Sequence, residues 1–365
     1  MRRLILCGLA SLGLYFAAFG LVLDRPLSLG LLRLEMRQKL ARGARLASPK
    51  LVILAGSNGP FSHSCRVIGV MLRMPCENAG IAVGVGLDDL FARWAALLRP
   101  GDVVYLPMEV QQYGVTRAQN RMDVDGAILF RHDRALLWRL GIDRALGGAF
   151  FNTMPDGLEA IAEMAAHAAG FGHPRAMLAT QYDRQGDRIG TTLATADTAF
   201  LLTLHRTEPK ALAITHGYGT RLIARFVREE TRRGVVVIGG LPSDFDTVRL
   251  PRADIAAIRA AYAKNGGRFI ELANRSRYPR ADFYDSEDHL AQPCQYWHSM
   301  LVARALGAML RRRVVAPSVT LRRLAATCPS FTASHWMRTV PPVVIAVGLA
   351  KPGTAKGRST DVVSR

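Results

Sequence analysis

A chain of 365 residues, 49% hydrophobic and carrying a net charge of +19, has ample apolar material for one large core or two small ones. The charge is uneven: residues 1–50 hold +7, residues 311–365 hold +9, and the stretch between them holds only +3. Nucleic-acid domains concentrate basic charge on the folded binding face. This distribution therefore argues against nucleic acid and for basic arms beside a membrane surface.

The first predicted element is Leu4 to Leu23, twenty residues without a charge behind Arg2 and Arg3. That length suits a single transmembrane helix, giving an anchor over residues 1–23. A secretory signal cleaved near Ala18-Phe19-Gly20 is the alternative. Arg25, Arg33, Arg37, Lys39 and Arg42 follow the segment and lean against export by the positive-inside count. A short charged N-terminus before a first apolar segment is nonetheless the ordinary export arrangement. The expected location is the inner membrane, single-pass, with the body outside the cytoplasm. Residues 24–50 read as a basic, Leu-rich connector, helical on the membrane surface.

From residue 51 the chain alternates strands with helices. LVILAG (51–56), DVVYLPM (102–108), RGVVVIGGLP (233–242) and RFIEL (268–272) read as buried strands, with MPCENAGI a brief strand or loop. An amphipathic helix fits residues 87–98, and helices fit residues 157–169, 220–233, 252–264 and 292–313. Continuous apolar strands between helices predict a parallel sheet covered on both faces, an α/β domain over 51–313 with an insertion at about 110–215. The Pro-, Ser- and Arg-rich tail, 314–365, reads as disordered. Of the five cysteines, Cys65 and Cys76 could close a short loop in an oxidising compartment, but buried or idle thiols are the plainer reading. No Cys/His spacing suggests zinc, and no cofactor is implied.

In open α/β sheets, ligands gather at the carboxyl ends of the strands. Four features fall there: Ser57 after the first strand, Asn78 and Gly80 in CENAGIAVGVG, Glu109 after DVVYLPM, and Asp285, Asp288 and His289 in FYDSEDHL. A serine hydroxyl needs a base to take its proton and a carboxylate to orient that base. Each part also has a plain structural use. Ser57, Ser62 and Ser64 are all placed to cap helices, and Glu109 is placed to end its strand. Between the two carboxylates, Asp285 suits His289 better than Asp288, because adjacent residues in an extended loop point in opposite directions.

The order of these parts resembles the SGNH hydrolase superfamily over about Leu51–Leu310. AGSNGPF is similar to its Gly-x-Ser block, in the Gly-Ser-Asn form of a membrane-anchored branch. ENAGIAVGVGLDDL with LRPGDVVYLPMEVQQY resembles that branch's Asn-x-Gly stretch and following strand, and FYDSEDHL its terminal Asp-to-His-Leu block. The resemblance implies Ser57 as nucleophile, His289 as base, Asp285 as its partner, and Asn78, Gly80 and Asn58 around the oxyanion or substrate. It also implies an esterase or O-acyltransferase that uses an ester substrate or acyl-donor protein and acts on envelope polysaccharide. The chain departs from the pattern in three places. PMEVQQ, with Glu109, replaces the Gly-x-Asn-Asp block. Ser286 stands three residues before His289, where the family has its Asp. Ala291-Gln292-Pro293 follows the His-Leu pair.

Overall fold

A computed structural model describes residues 1–22, 27–150, 161–162, 165–166, 168–170, 181–204 and 211–331. Helix α1 (Arg2–Val22) leads to α2 (Leu27–Arg45) and strand β1 (Leu51–Ile53). Helices α3 (Asn58–Ser62) and α4 (Cys65–Leu72) follow, then β2 (Cys76–Asn78), α5 (Leu87–Ala95) and β3 (Val103–Leu106). A run of short helices comes next: α6 (Val110–Gly114), α7 (Arg117–Arg121), α8 (Asp125–His132), α9 (Arg134–Leu140), α10 (Ile142–Phe150), α11 (Thr198–Thr203) and α12 (Ala211–His216). The chain then forms α13 (Tyr218–Arg232), β4 (Val236–Gly239), β5 (Asp244–Phe245), α14 (Arg252–Ala263), β6 (Arg268–Phe269), β7 (Arg277–Tyr278), α15 (Gln292–Leu310) and α16 (Val319–Ala325). The helix expected over 157–169 lies largely outside the described residues.

Five strands form one parallel sheet in the order β2-β1-β3-β4-β6, as the buried apolar runs require. Ile53 sits between Asn78 and Tyr105, and Leu106 is opposite Gly239. Alternation along each strand sends Val52, Leu54, Val104 and Leu106 to a core shared with Leu90, Phe91, Trp94, Leu222 and Ile258 of α5, α13 and α14. It sends Leu51, Ile53, Val103 and Tyr105 to the other face, against Ile68, Met71, Met300 and Leu306 of α4 and α15. The architecture is three layers of α/β.

The two ends depart from the sequence reading. Among the described residues no helix is long and apolar enough to cross a membrane. Helix α1 runs to Val22, and its Leu4, Leu6, Leu9 and Leu14 are exposed. Helix α2 is not a separate surface connector. Met36 and Lys39 are buried, and Leu32 and Leu40 pack against the core. Lys39 pairs with Glu35 at 2.8 Å and Arg42 with Glu77 at 2.9 Å, so acidic partners draw part of the basic arm into the fold.

The tail expected to be disordered from residue 314 is ordered to Phe331. Ser318 caps α16, Leu321 and Ala325 are buried, and Cys328 is bonded to Cys294 of α15. Cys65 and Cys76 form a second disulfide, so four of the five cysteines are not idle thiols. Residues 332–365 lie outside the described part. Replacing Cys294 and Cys328 together by Ala is expected to cost about 3–4 kcal/mol, the loop-closure entropy of their 34-residue separation. Urea unfolding measures it, and an unchanged midpoint would mean that the packing of α16 on α15 already supplies the closure.

Candidate active site

The stretch between β1 and α4 is built from close backbone approaches. A Cβ on Gly56 would lie 2.5 Å from both carboxylate oxygens of Glu109, and one on Gly80 would lie 2.7 Å from Gly56 O. Only glycines let the two loops and the carboxylate share this space. Glu109 accepts hydrogen bonds from Gly56 N and Asn58 N, both at 3.1 Å, so it clamps the peptide on either side of Ser57. Ser57 occupies the position before α3 with helical backbone angles (φ −68°, ψ −23°), yet its side chain makes no cap hydrogen bond. Capping is done elsewhere: Ser64 accepts from Val67 N at the start of α4, while Ser62 donates to Asp288 O at 2.6 Å. The Ser57 hydroxyl has no partner among the described residues.

His289 enters from the loop before α15. Its Nδ1 meets Asp285 Oδ1 at 2.6 Å, and its ring stacks on Phe61 with centroids 3.7 Å apart and planes 9° from parallel. Phe61 is one helical turn after Ser57, with Phe61 N bonded to Ser57 O, so the stack holds the imidazole beside the first turn of α3. Bonding Nδ1 to the carboxylate leaves Nε2 as the ring's remaining nitrogen. No hydrogen bond joins Ser57 to His289. Asp288 turns elsewhere. Its carbonyl accepts from Ser62 and Ser243, the residue is buried, and its charge is near enough to act on Glu109. Burial first, and then the charge of Asp288, push the Glu109 carboxyl up to about 8.

Two residues singled out around the oxyanion have other work. Asn78 Nδ2 donates to Gly59 O, His63 O and Asp187 Oδ1 at 2.8–3.0 Å, so both of its hydrogens are taken up by the protein. Asn58 is fully buried and donates to Pro107 O at 2.8 Å, pinning its loop to the end of β3. The Ser57 and Gly80 N–H groups, by contrast, have no hydrogen bond among the described residues.

Sequence reasoning missed Phe61 and Asp187. Asp187 is buried, accepts from Ser64 Oγ, Cys65 N and Arg66 N as well as Asn78, and is raised to about 6 by burial and by Asp183. It sits in the segment read as an insertion, more than 100 residues from its partners. No local pattern could have revealed it. Phe61 had a signal, its spacing of one turn from Ser57. A grouping of metal-ligand types, Asp282 with Cys294 and Cys328, has both sulfurs joined to each other.

No protein family, curated protein or solved structure matches this chain.

Proposed function

We propose that this chain is a serine-dependent esterase or O-acyltransferase of the SGNH type, anchored in the inner membrane, whose body acts outside the cytoplasm on acyl groups of exported or cell-surface polysaccharide. The observation that carries this reading is the Asp285–His289 pair, stacked on Phe61 one helical turn from a serine hydroxyl that caps nothing. Ser57 Oγ attacks the acyl carbon of the donor ester while its proton passes to His289 Nε2. The Ser57 and Gly80 N–H groups are the donors available to the tetrahedral oxyanion, in place of Asn78. Collapse expels the donor alcohol, which takes the proton from His289. A sugar hydroxyl or water then gives up a proton to His289 and attacks the acyl-serine; collapse breaks the bond to Ser57 Oγ, which takes the proton back from His289, and the product is released. Ser57 and His289 are not hydrogen-bonded in the free chain, and the attack requires that bond to form when substrate binds, as catalytic hydrogen bonds in many sites do.

The anchor rests on the charge-free sequence Leu4–Leu23. Two disulfides favour an oxidising compartment for the body. A second reading, a non-catalytic protein that binds an anionic polymer, is favoured by a cavity of about 590 Å³ beside β2. It is lined by Arg42, Arg45, Arg66, Arg73 and Arg184 over Val70, Met74 and Pro75. A fluorophosphonate probe separates the two. The enzyme is expected to label, and Ser57→Ala to abolish labelling. A folded chain that never labels, yet retains polymer, would move the function to the arginine cavity.

A further inference from the structure

The structure assigns a second membrane contact to this chain: the outer face of α9–α10 lies in the bilayer interface beside α1. This inference rests on reading α1 as the anchor. Helix α10 buries Arg144, Ala145, Gly147, Gly148 and Ala149 and leaves Ile142, Leu146 and Phe150 at 47–58% exposure, an i, i+4, i+8 stripe turned away from the core. Trp138 of α9 is 63% exposed on the neighbouring helix. Two acids close to this face are already paired, Asp133 with Arg93 and Asp143 with Arg117. Arg134 and Arg139 of α9 are exposed nearby. Exposed apolar side chains together with an exposed tryptophan and arginines on the adjoining helix are the composition of a surface lying in the headgroup layer.

What makes the occupant a bilayer, and not another apolar partner, is the attachment of α1. Tyr15 stacks on Phe150 at 5.6 Å and donates to Ala149 O at 3.0 Å, while Phe16 stacks on Phe130 at 6.1 Å. Tyr15 lies seven residues before the end of α1 at Val22, roughly 10 Å along the helix axis at 1.5 Å per residue. If α1 spans the bilayer with that end at the body side, the tip of α10 must enter the apolar layer to keep these contacts. A depth of about 5–10 Å is where interfacial helices bury their apolar faces. The exposed stripe is the part of the body that meets lipid at that depth. The body is thus held at two places, which fixes its orientation over the membrane.

The test uses the full chain in lipid nanodiscs made with plain or dibrominated phosphatidylcholine and phosphatidylglycerol. Bromine quenches tryptophan on contact. The chain has four tryptophans, of which Trp94 and Trp297 are buried, and the difference from Trp138→Phe isolates Trp138. Brominated lipid is expected to cause about a twofold or greater loss of the Trp138 emission, as for a side chain in the interface. The combined variant Ile142→Glu, Leu146→Glu, Phe150→Glu should abolish that loss while α1 keeps the chain in the disc. Equal emission in both lipids, with the chain still incorporated, overturns this inference alone. Failure of the wild-type chain to incorporate overturns the anchor reading with it. A wild-type dimer in detergent that the triple variant dissolves would assign the face to a second copy and also overturn the proposal.

Discussion

Replacing Asp285 by Asn is expected to lower kcat for a generic aryl ester by about two to three orders of magnitude, somewhat less than for a fully buried triad carboxylate. The reason is geometric. Asp285 Oδ1 lies 2.6 Å from His289 Nδ1, so the carboxylate selects the tautomer that presents Nε2 and stabilises the imidazolium formed during attack. An amide in its place can hold the ring in the wrong tautomer. The Asp285 side chain is 41% exposed, so water screens part of the effect and keeps it below the buried case. Asp288→Asn should leave kcat within a few-fold, because the ring's Nδ1 is held by Asp285, while the charge of Asp288 acts on Glu109. If Asp288→Asn abolishes turnover while Asp285→Asn spares it, the assignment of the orienting carboxylate is wrong.

The second large effect belongs to Glu109 and appears as pH dependence. This carboxyl is fully buried, and burial raises it from its ordinary range to about 8. Between about pH 4.5 and 8 the folded state therefore holds a proton that the unfolded state has lost, so stability falls as pH rises across that window. The contribution is fully present below the unfolded value and gone above the folded one. At about 1.4 kcal/mol per pH unit the total loss reaches several kcal/mol. Glu109→Gln cannot ionise and still offers an oxygen to Gly56 N or Asn58 N. Its stability profile should be flatter than the wild type by about 2–4 kcal/mol between pH 5 and 8. Urea unfolding at the two pH values measures this, and parallel profiles would show that Glu109 does not titrate in the window. The same ionisation places a negative charge beside the peptide that flanks Ser57, against a developing oxyanion. An alkaline fall in wild-type activity near pH 8 should accordingly be absent from Glu109→Gln, if that variant folds and labels.

Aryl-ester turnover and urea unfolding together separate two kinds of failure. Loss of activity in Asp285→Asn with the urea midpoint retained points to slowed proton transfer in an intact site. Loss of activity with a lowered midpoint points to a collapsed loop. The Gly56–Asn58 clamp makes the second outcome the expected one for a bulky residue at position 56, since any Cβ there meets the Glu109 carboxylate.

The sheet, its parallel sense and the helices on both faces were legible in the sequence because they follow from local pattern. Val103 to Leu106 and Val236 to Gly239 are apolar runs short enough to be strands, and α5 and α13 have one apolar face each. The positions of Ser57, Glu109 and His289 at strand and loop ends were legible for the same reason. What each side chain does there was not. A serine after a strand caps a helix or stands free according to where the next turn's backbone points, and here Ser64 caps while Ser57 does not. Asn78 lies in a stretch that resembles an Asn-x-Gly block, yet Asp187 and the carbonyls of Gly59 and His63 take its hydrogens, and those partners arrive from distant segments. The connector and the tail misled for a related reason. Charge and Pro/Ser/Arg content describe a segment's affinity for water, whereas Glu77 across the fold and Cys294 on α15 decide whether it docks. Periodicity and composition are properties of neighbours in the chain; hydrogen-bond partners, disulfide partners and buried charge are properties of neighbours in space, and only the folded chain brings those together.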